Sequence, residues 1–205
     1  MSSAARVTRL PLLAAVQGRA VSRFTVEQYH RMIDAGVFAG APRCEMVRGY
    51  LVECPRTTPR HSRVVSRLAR WFLATTDEAE WVVGVRNPIT LSDSEPATEL
   101  YLATGPDDRY TARHPGTADL ALVIEVSDSL PELNRGTKLA PYAENKVVQY
   151  WIIDVNERRV EVYTDPRGGK SPGYRTRAEY APGAAVPVVV AGKALGTIAA
   201  ADLLP

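Results

Sequence analysis

Three charged residues near the middle of the chain have types and positions suited to chemistry on a charged substrate. Residues 118–126 are almost continuously apolar, which predicts a strand buried on both faces, yet Glu125 lies near its end. Because removing an ion from water costs several kcal/mol, a buried Glu125 needs a partner. Chain order offers two candidates: Glu99 opens the preceding short strand, and Lys138 begins the following helix.

Two carboxylates and one ammonium leave one negative charge uncompensated in such a cluster. One Lys–Glu contact at about 4 Å contributes about 4 kcal/mol at an effective dielectric of about 20, comparable to one desolvation penalty. A divalent cation would neutralise the remainder, and Mg²⁺ held by one or two carboxylates beside a substrate phosphate is the usual arrangement. The alternative is structural: Glu125 pairs with Lys138 or with an arginine, and Glu99 lies on the surface.

Four arginines share one face of the helix predicted for about residues 60–75. Their positions at i, i+3, i+7 and i+10 place them within roughly 80° of one another: Arg60, Arg63, Arg67 and Arg70. This stripe is either a solvated outer face or a phosphate-binding surface, because guanidinium groups stay charged and match phosphate oxygens. The second role would give affinity and salt dependence without sequence preference. His61 begins the same helix, and the pattern leaves its chemistry open.

The surrounding pattern indicates the elements that must position these residues. A capping box at Thr25 and Gln28 starts a helix that stops by Gly36, and residues 45–53 form a hairpin that turns at residues 48–49. The remaining extended segments are predicted at 81–91, 99–103, 118–126, 149–154, 160–164 and 185–190, and the remaining helices at 136–145 and 199–203. No repeat or long linker divides the chain, so we expect one α/β domain over residues 23–205.

The composition describes a globular chain of about one domain. The 205 residues are 45% hydrophobic and 23% charged, and no apolar run approaches the roughly 18 residues needed to span a bilayer. Disordered, collagen-like and membrane-spanning classes are therefore excluded. The net charge of +2 hides an asymmetry, since residues 1–70 hold 12 basic and 4 acidic residues and residues 71–205 hold 13 and 19. This distribution indicates an anion-binding element joined to an acidic one, or a basic tail.

The two cysteines and the N-terminus bear on the cellular compartment. If residue 47 pairs with residue 50, Cys44 and Cys54 face opposite sides of the hairpin, which argues against a disulfide. Two free thiols fit a reducing cytoplasm, where we expect the protein. No C-x-x-C motif or nearby histidine pair indicates a metal site at these cysteines. We expect residues 1–22 to form a flexible extension, with a signal sequence as the alternative.

Short segments of the chain follow one another in an order and spacing typical of a known family. The most specific are LVIEVSDS at 122–129 and RGTKLAPYA at 135–143. The others are FTVEQY at 24–29, CEMVRGYLV at 44–52, PRH at 59–61, SEPATEL at 94–100 and YWIID at 150–154. On these segments the sequence resembles the Uma family of bacterial restriction-endonuclease-like proteins, within the PD-(D/E)XK nuclease superfamily.

The resemblance implies an α/β (α+β) fold, a restriction-endonuclease-like curved mixed sheet flanked by helices, with an acidic metal site along one strand pair. Glu99 falls where the family has its metal-binding aspartate, and Glu125 falls at the glutamate of the D-x(n)-E-x-K pattern. The third position of that pattern is Ser127, and the family lysine corresponds instead to Lys138 on the next helix. Glu45 matches a hairpin glutamate and is a candidate outer metal ligand or a helix-side carboxylate.

The activity implied by the resemblance is metal-assisted hydrolysis of DNA phosphodiester bonds. Glu99 and Glu125 would hold Mg²⁺ or Mn²⁺, and Lys138 would orient the attacking water or stabilise developing charge. Tyr142, one helical turn after Lys138, either frames the site or belongs to the core. The expected partner is DNA, bound through the arginine stripe. No membrane partner is expected, and a homodimer is one assembly that the sequence allows.

Two departures from the family pattern support a second hypothesis. Thr98-Glu99 replaces the usual Pro-Asp, and the longer side chain carries its oxygens about 1.5 Å further out, which disturbs a near-octahedral Mg²⁺ site. Asn134 stands where the family often has aspartate. The second hypothesis is therefore a catalytically weakened or inactive nuclease-fold module that binds nucleic acid or a protein partner.

Overall fold

The computed structural model describes residues 21–54, 56–128 and 134–204, without the side chains of Asn134 and Arg135. Most of the expected N-terminal extension therefore lies outside the described residues, as does the side chain of Asn134. The helices are α1 Val26–Asp34, α2 Pro59–Thr75, α3 Leu139–Glu144 and α4 Ala200–Leu203. The strands are β1 Cys44–Val47, β2 Tyr50–Glu53, β3 Trp81–Val85, β4 Leu100–Thr104, β5 Leu120–Ser127, β6 Gln149–Asp154, β7 Arg159–Arg167, β8 Gly173–Tyr180, β9 Ala185–Val190 and β10 Lys193–Ala199.

Six strands form one mixed sheet in the order β3-β4-β5-β6-β7-β8. Strands β5 and β6 are parallel, and the other neighbouring pairs are antiparallel. Every residue of β5 is buried, as its continuous apolar run predicts. The mixed sheet with flanking helices confirms the predicted fold class. Within the described ranges, no helix has the length and apolar character needed to cross a lipid bilayer.

Two apolar clusters cover the two faces of this sheet. One face packs against α2, the β9–β10 hairpin and α4, with Phe72 and Trp151 at its centre. The other face packs against α3 and the segment that contains Ile89, through a group of tyrosines that includes Tyr142 and Tyr150. Glu125 lies on β5 between these layers, so its carboxylate enters the interior of the molecule.

Helix α2 begins at the edge of the site because of its first residues. Thr58 is the N-cap and accepts a hydrogen bond from the His61 backbone N–H at 3.2 Å, and Pro59 occupies the first helical turn, where its missing N–H costs nothing. His61 lies on the buried face of the helix, in register with Val64, Val65 and Leu68. The N-terminal turn of α2 therefore directs an imidazole inward.

The β1–β2 hairpin has the register that the sequence predicts. Val47 pairs with Tyr50, and Arg48 and Gly49 form the turn with positive φ angles of 52° and 75°. Met46 and Glu95 exchange backbone hydrogen bonds, which fasten the hairpin to the segment before β4. Both cysteines are free.

The structure differs from the sequence prediction in three places. Strand β3 ends at Val85, because the chain turns there and residues 86–99 form a loop rather than a continued strand. The helix expected at 136–145 begins as a π-helical turn, Asn134–Lys138. Strands β8 and β10 were not predicted, because β8 carries alternating charged side chains on an edge and β10 is interrupted by an irregular register near Gly196.

Candidate active site

Lys138 is the centre of a buried cluster of charges. It ends the π-helical turn that leads into α3, and only 5% of its surface is exposed. Its Nζ atom lies 3.1 Å from Glu125 Oε1 and 3.1 Å from Glu45 Oε2, and donates to the Ala97 carbonyl at 3.2 Å. Three oxygens therefore surround one ammonium group and satisfy its three donors.

Glu45 reaches Lys138 because the hairpin docks beside β4. Its Oε2 also accepts a hydrogen bond from the Ala97 backbone N–H at 3.0 Å. Only 5% of Glu45 is exposed, and the bridge between Met46 and Glu95 holds the strand that carries it. The family resemblance marked Glu45 as a candidate outer ligand, and the structure gives it a direct contact with the lysine.

Glu125 has a second hydrogen-bond donor in Tyr142. The Tyr142 hydroxyl donates to Glu125 Oε1 at 2.8 Å, and Tyr142 is fully buried against Tyr150. The two roles that the sequence left open for this tyrosine therefore coincide, since it is a core residue that also orients the carboxylate. Glu125 itself is 3% exposed.

Glu99 occupies the same region but has different partners. Its Oε1 lies 3.1 Å from His61 Nε2, and its Oε2 lies 3.6 Å from Arg86 Nε. Among the described residues, the Oε2 atom of Glu99 is buried and accepts no hydrogen bond. The Nδ1 atom of His61 is also buried and has no hydrogen-bond partner there. The hypothesis that Glu99 lies on the surface is not supported, because its side chain is only 17% exposed.

One cavity of about 70 Å³ joins the three predicted site residues, Glu99, Glu125 and Lys138. Glu45 and His61 also line it. Sequence reasoning left the chemistry of His61 open. Its spacing with the apolar residues of α2 was the available signal, because a histidine on a buried helix face needs a polar partner. The arginines that line the cavity were missed as well: Arg43, Arg56 and Arg86.

The burial of these charges shifts their proton affinities. Burial raises the pKa of Glu125 to about 7, and the charges of Glu45 and Glu99 add to this, while Lys138 and the Tyr142 hydroxyl act in the opposite direction. Burial alone would lower the pKa of Lys138, but the charges and hydrogen bonds of Glu125 and Glu45 outweigh it and raise that pKa. Lys138 is therefore a cation and donor at neutral pH rather than a base.

The predicted arginine stripe lies on α2 but not on the cavity wall. Arg60, Arg63 and Arg70 are exposed, and the Arg67 guanidinium donates to the backbone carbonyl of Asp202. Arg67 therefore fastens α2 to the C-terminal helix. The other three arginines remain available on the outer surface of α2, and their role in binding nucleic acid stays a prediction.

Comparison with known proteins identifies the family. Residues 26–193 match a family model described as "Uma2: Putative restriction endonuclease". The chain belongs to the Uma2 family. No curated protein matches this Uma2 sequence. A solved structure described as a putative nuclease belonging to DUF820, from Anabaena variabilis ATCC 29413, has the same fold: it matches with 15% identity and a TM-score of 0.66, covering 88% of this Uma2 chain and 97% of the other.

The donor set of this Uma2 site fits a hard divalent cation. Glu45, Glu99 and Glu125 place carboxylate oxygens along one cavity, and the buried Oε2 of Glu99 has no hydrogen-bond donor. Mg²⁺ is commonly held by one or two carboxylates, with water and phosphate oxygens completing its shell. No three histidine, cysteine or acidic residues in the described parts of the chain are grouped to hold an ion by themselves. Glu99 and Glu125 would therefore provide two of the ligands.

Proposed function

We propose that this Uma2 protein is a metal-dependent endonuclease that hydrolyses phosphodiester bonds in DNA, with Glu99, Glu125 and Lys138 as its catalytic residues. The observation that supports this most strongly is the buried Lys138 ammonium, 3.1 Å from both Glu45 and Glu125, in a cavity that Glu99 also lines. Retaining a charged cluster of this kind costs desolvation energy that an apolar core would avoid. A catalytic role accounts for that cost.

Each residue of the cluster has a separate task in the proposed reaction. Glu99 and Glu125 would hold Mg²⁺ or Mn²⁺, and the ion would supply Lewis-acid polarisation of a phosphoryl oxygen and activation of a water molecule. Lys138, kept protonated by Glu45 and Glu125, would stabilise the negative charge that develops on the phosphate oxygens through its positive charge and not through a hydrogen bond, because its three donors are already used. Tyr142 fixes one oxygen of Glu125, and the Ala97 carbonyl with Glu45 fixes the direction of the lysine.

Nicking of supercoiled plasmid DNA tests this proposal. We expect the wild-type protein to nick the plasmid with Mg²⁺ or Mn²⁺, and we expect Glu125→Gln to lose at least about a hundredfold in rate, since it removes a charge used in the transition state. Glu144→Gln is the matched control, because this carboxylate is half exposed, pairs with Arg48 and does not line the cavity. It should cut at the wild-type rate.

Two outcomes contradict the proposal. The first is nicking by Glu125→Gln at the wild-type rate, which would point to a contaminating nuclease. The second is no nicking by folded wild-type protein with either metal. Circular dichroism of each variant shows whether a lost rate reflects a lost fold.

A nuclease-fold module that binds DNA without cutting it is the second candidate function. The observation that favours it is the proximity of His61 and Arg86 to Glu99, because two basic side chains lie next to the carboxylate that a metal would need. This candidate predicts DNA binding that is unchanged by EDTA, falls with rising salt and is never followed by nicking. Metal-dependent nicking would exclude it.

A further inference from the structure

Three arginines from separate segments surround the mouth of the cavity. Arg43 precedes β1, Arg56 lies in the linker between β2 and α2, and Arg86 follows β3, and all three are exposed at the surface while lining the cavity. None of them belongs to the predicted stripe on α2. Their convergence depends on the docking of the hairpin beside the end of β3, so it could not be seen in the sequence.

Two of these arginines have no acidic partner among the residues that the structure describes. Among the described residues, neither Arg43 nor Arg56 has a carboxylate oxygen within 4.0 Å. Among the described residues that line the cavity, only Lys138 carries an ammonium group, and carboxylates already surround it. An anionic ligand entering the cavity would therefore meet uncompensated positive charge at the mouth, where guanidinium groups match phosphate oxygens.

Arg86 is held over the cavity by its backbone. Its φ angle of 56° is in the left-handed region, which costs about 1 kcal/mol for a residue with a Cβ. Its backbone N–H donates to the Glu99 carbonyl at 3.1 Å, and its own carbonyl accepts from Arg43 Nη2 at 3.3 Å. These bonds fix the backbone of Arg86 and bring the Arg43 side chain next to it.

The side chain of Arg86 is only loosely held. Its Nε atom is 3.6 Å from Glu99 Oε2, beyond hydrogen-bond distance, and the side chain is 42% exposed. The guanidinium can leave Glu99 without breaking a hydrogen bond to it. A phosphate at the mouth could accept two hydrogen bonds from the Arg86 guanidinium. Movement of the guanidinium to that phosphate would expose the unpaired Oε2 of Glu99.

We propose that Arg43, Arg56 and Arg86 form a phosphate-binding site at the mouth of the cavity, which takes the nucleic-acid backbone, and that Arg86 moves from Glu99 to the phosphate when the substrate enters. This inference rests on the proposed function and assigns the substrate contacts to the mouth of the cavity rather than to α2. The arrival of substrate is thereby coupled to the release of a metal-binding carboxylate.

Equilibrium binding of a short fluorescein-labelled DNA duplex, in EDTA to prevent cleavage, tests the site. We expect Arg43→Gln, Arg56→Gln and Arg86→Gln each to weaken binding about tenfold, the usual effect of one lost charged hydrogen bond. Each should also reduce the slope of log K against log salt concentration by about 0.9. Arg31→Gln and Arg175→Gln are the matched controls, because these exposed arginines belong neither to the cavity nor to the stripe on α2, and they should bind within about threefold of wild type.

A second measurement, metal affinity, tests whether Arg86 moves from Glu99 to the phosphate. In calorimetric titration with Mn²⁺ and no DNA, Arg86→Gln should bind the ion at least as tightly as wild type, because a competing cation has left Glu99. Weaker Mn²⁺ binding would overturn the transfer, since Arg86 would then be orienting Glu99. Opposite effects of one substitution on metal and DNA affinity are not expected from a structural role.

Two results of the DNA-binding measurements would contradict the proposed phosphate-binding site. DNA binding by the three mouth variants within threefold of wild type contradicts the site. Equal weakening by Arg31→Gln and Arg175→Gln contradicts it as well, because it would indicate a general electrostatic field. The nicking assay separates this failure from that of the proposed function. If Glu125→Gln abolishes nicking while the mouth variants bind normally, only the phosphate site is wrong.

Discussion

Lys138 shows how a single residue can hold a buried site together. Its ammonium forms ion pairs with both Glu45 and Glu125, each only a few per cent exposed. Removing one member of a buried ion pair leaves the other charge uncompensated in a medium that solvates it poorly. We therefore expect the lysine to stabilise the fold as well as to act in the proposed chemistry.

We expect Lys138→Met to lower the free energy of unfolding by about 3–5 kcal/mol at pH 8, since two buried carboxylates lose their cation. Urea denaturation followed by circular dichroism measures this. Lys193→Met is the control, because Lys193 forms an exposed ion pair with Glu80 and should change the same quantity by less than about 1 kcal/mol. Equal effects of the two substitutions would mean that Glu45 and Glu125 do not depend on the lysine.

At the scale of elements, the β1–β2 hairpin determines where Glu45 lies. Its turn requires Gly49, with φ of 75°, and a Cβ at that position would lie 2.7 Å from Arg23 Cβ and 2.8 Å from the Phe24 carbonyl oxygen. The turn therefore packs against the chain that leads into α1. Displacing it would move the strand that carries Glu45.

Gly49→Ala tests this packing against a matched glycine. Gly40 has nearly the same φ, 77°, but a Cβ there meets nothing within 4 Å. We expect Gly40→Ala to cost about 1 kcal/mol of unfolding free energy, from backbone conformation alone. Gly49→Ala should cost a further 1–3 kcal/mol, roughly, from the clash. Indistinguishable denaturation midpoints for the two variants would show that the hairpin does not rest on the segment before α1.

The elements that carry the site were largely predictable, whereas their contacts were not. The capping box of α1, the turn of the hairpin and the apolar run of β5 are local signals, and all three elements form as expected. The contact of Glu45 with Lys138 depends on the docking of the hairpin, which no local periodicity encodes. The edge strand β8 was missed because its exposed face breaks the apolar pattern.

At the scale of the whole molecule, we expect metal binding to raise the free energy of unfolding. A ligand that binds only the folded state adds RT ln(1 + [L]/Kd), about 2.7 kcal/mol when its concentration is a hundred times Kd. We expect saturating Mn²⁺ to raise the midpoint temperature of unfolding of the wild-type protein and of Glu144→Gln. It should not raise that of the double variant that carries both Glu99→Gln and Glu125→Gln. Differential scanning calorimetry with and without EDTA measures this. The same rise in the double variant would place the ion elsewhere.

The charge distribution of the chain becomes meaningful at this scale. The basic excess of residues 1–70 includes Arg43, Arg56 and the arginines of α2, and the acidic remainder includes Glu99 and Glu125. Of the basic set, the fold brings Arg43 and Arg56 to the mouth of the cavity that Glu99 and Glu125 line, whereas the arginines of α2 lie outside it. A nearly neutral protein thereby presents opposite charges within and around one cavity, which is what the proposed metal ion and the proposed polyanion would each require.

The single parallel pairing in the sheet has a consequence for the order of folding. Glu125 and Lys138 belong to one strand–helix–strand crossover and are 13 residues apart, whereas Lys138 and Ala97 are 41 residues apart. Because the entropy lost on loop closure grows with the length of the loop, the lysine and this glutamate can meet within a local unit, before the hairpin arrives. The chain would thus bury half of the cluster early and complete it by a late docking step that brings in Glu45.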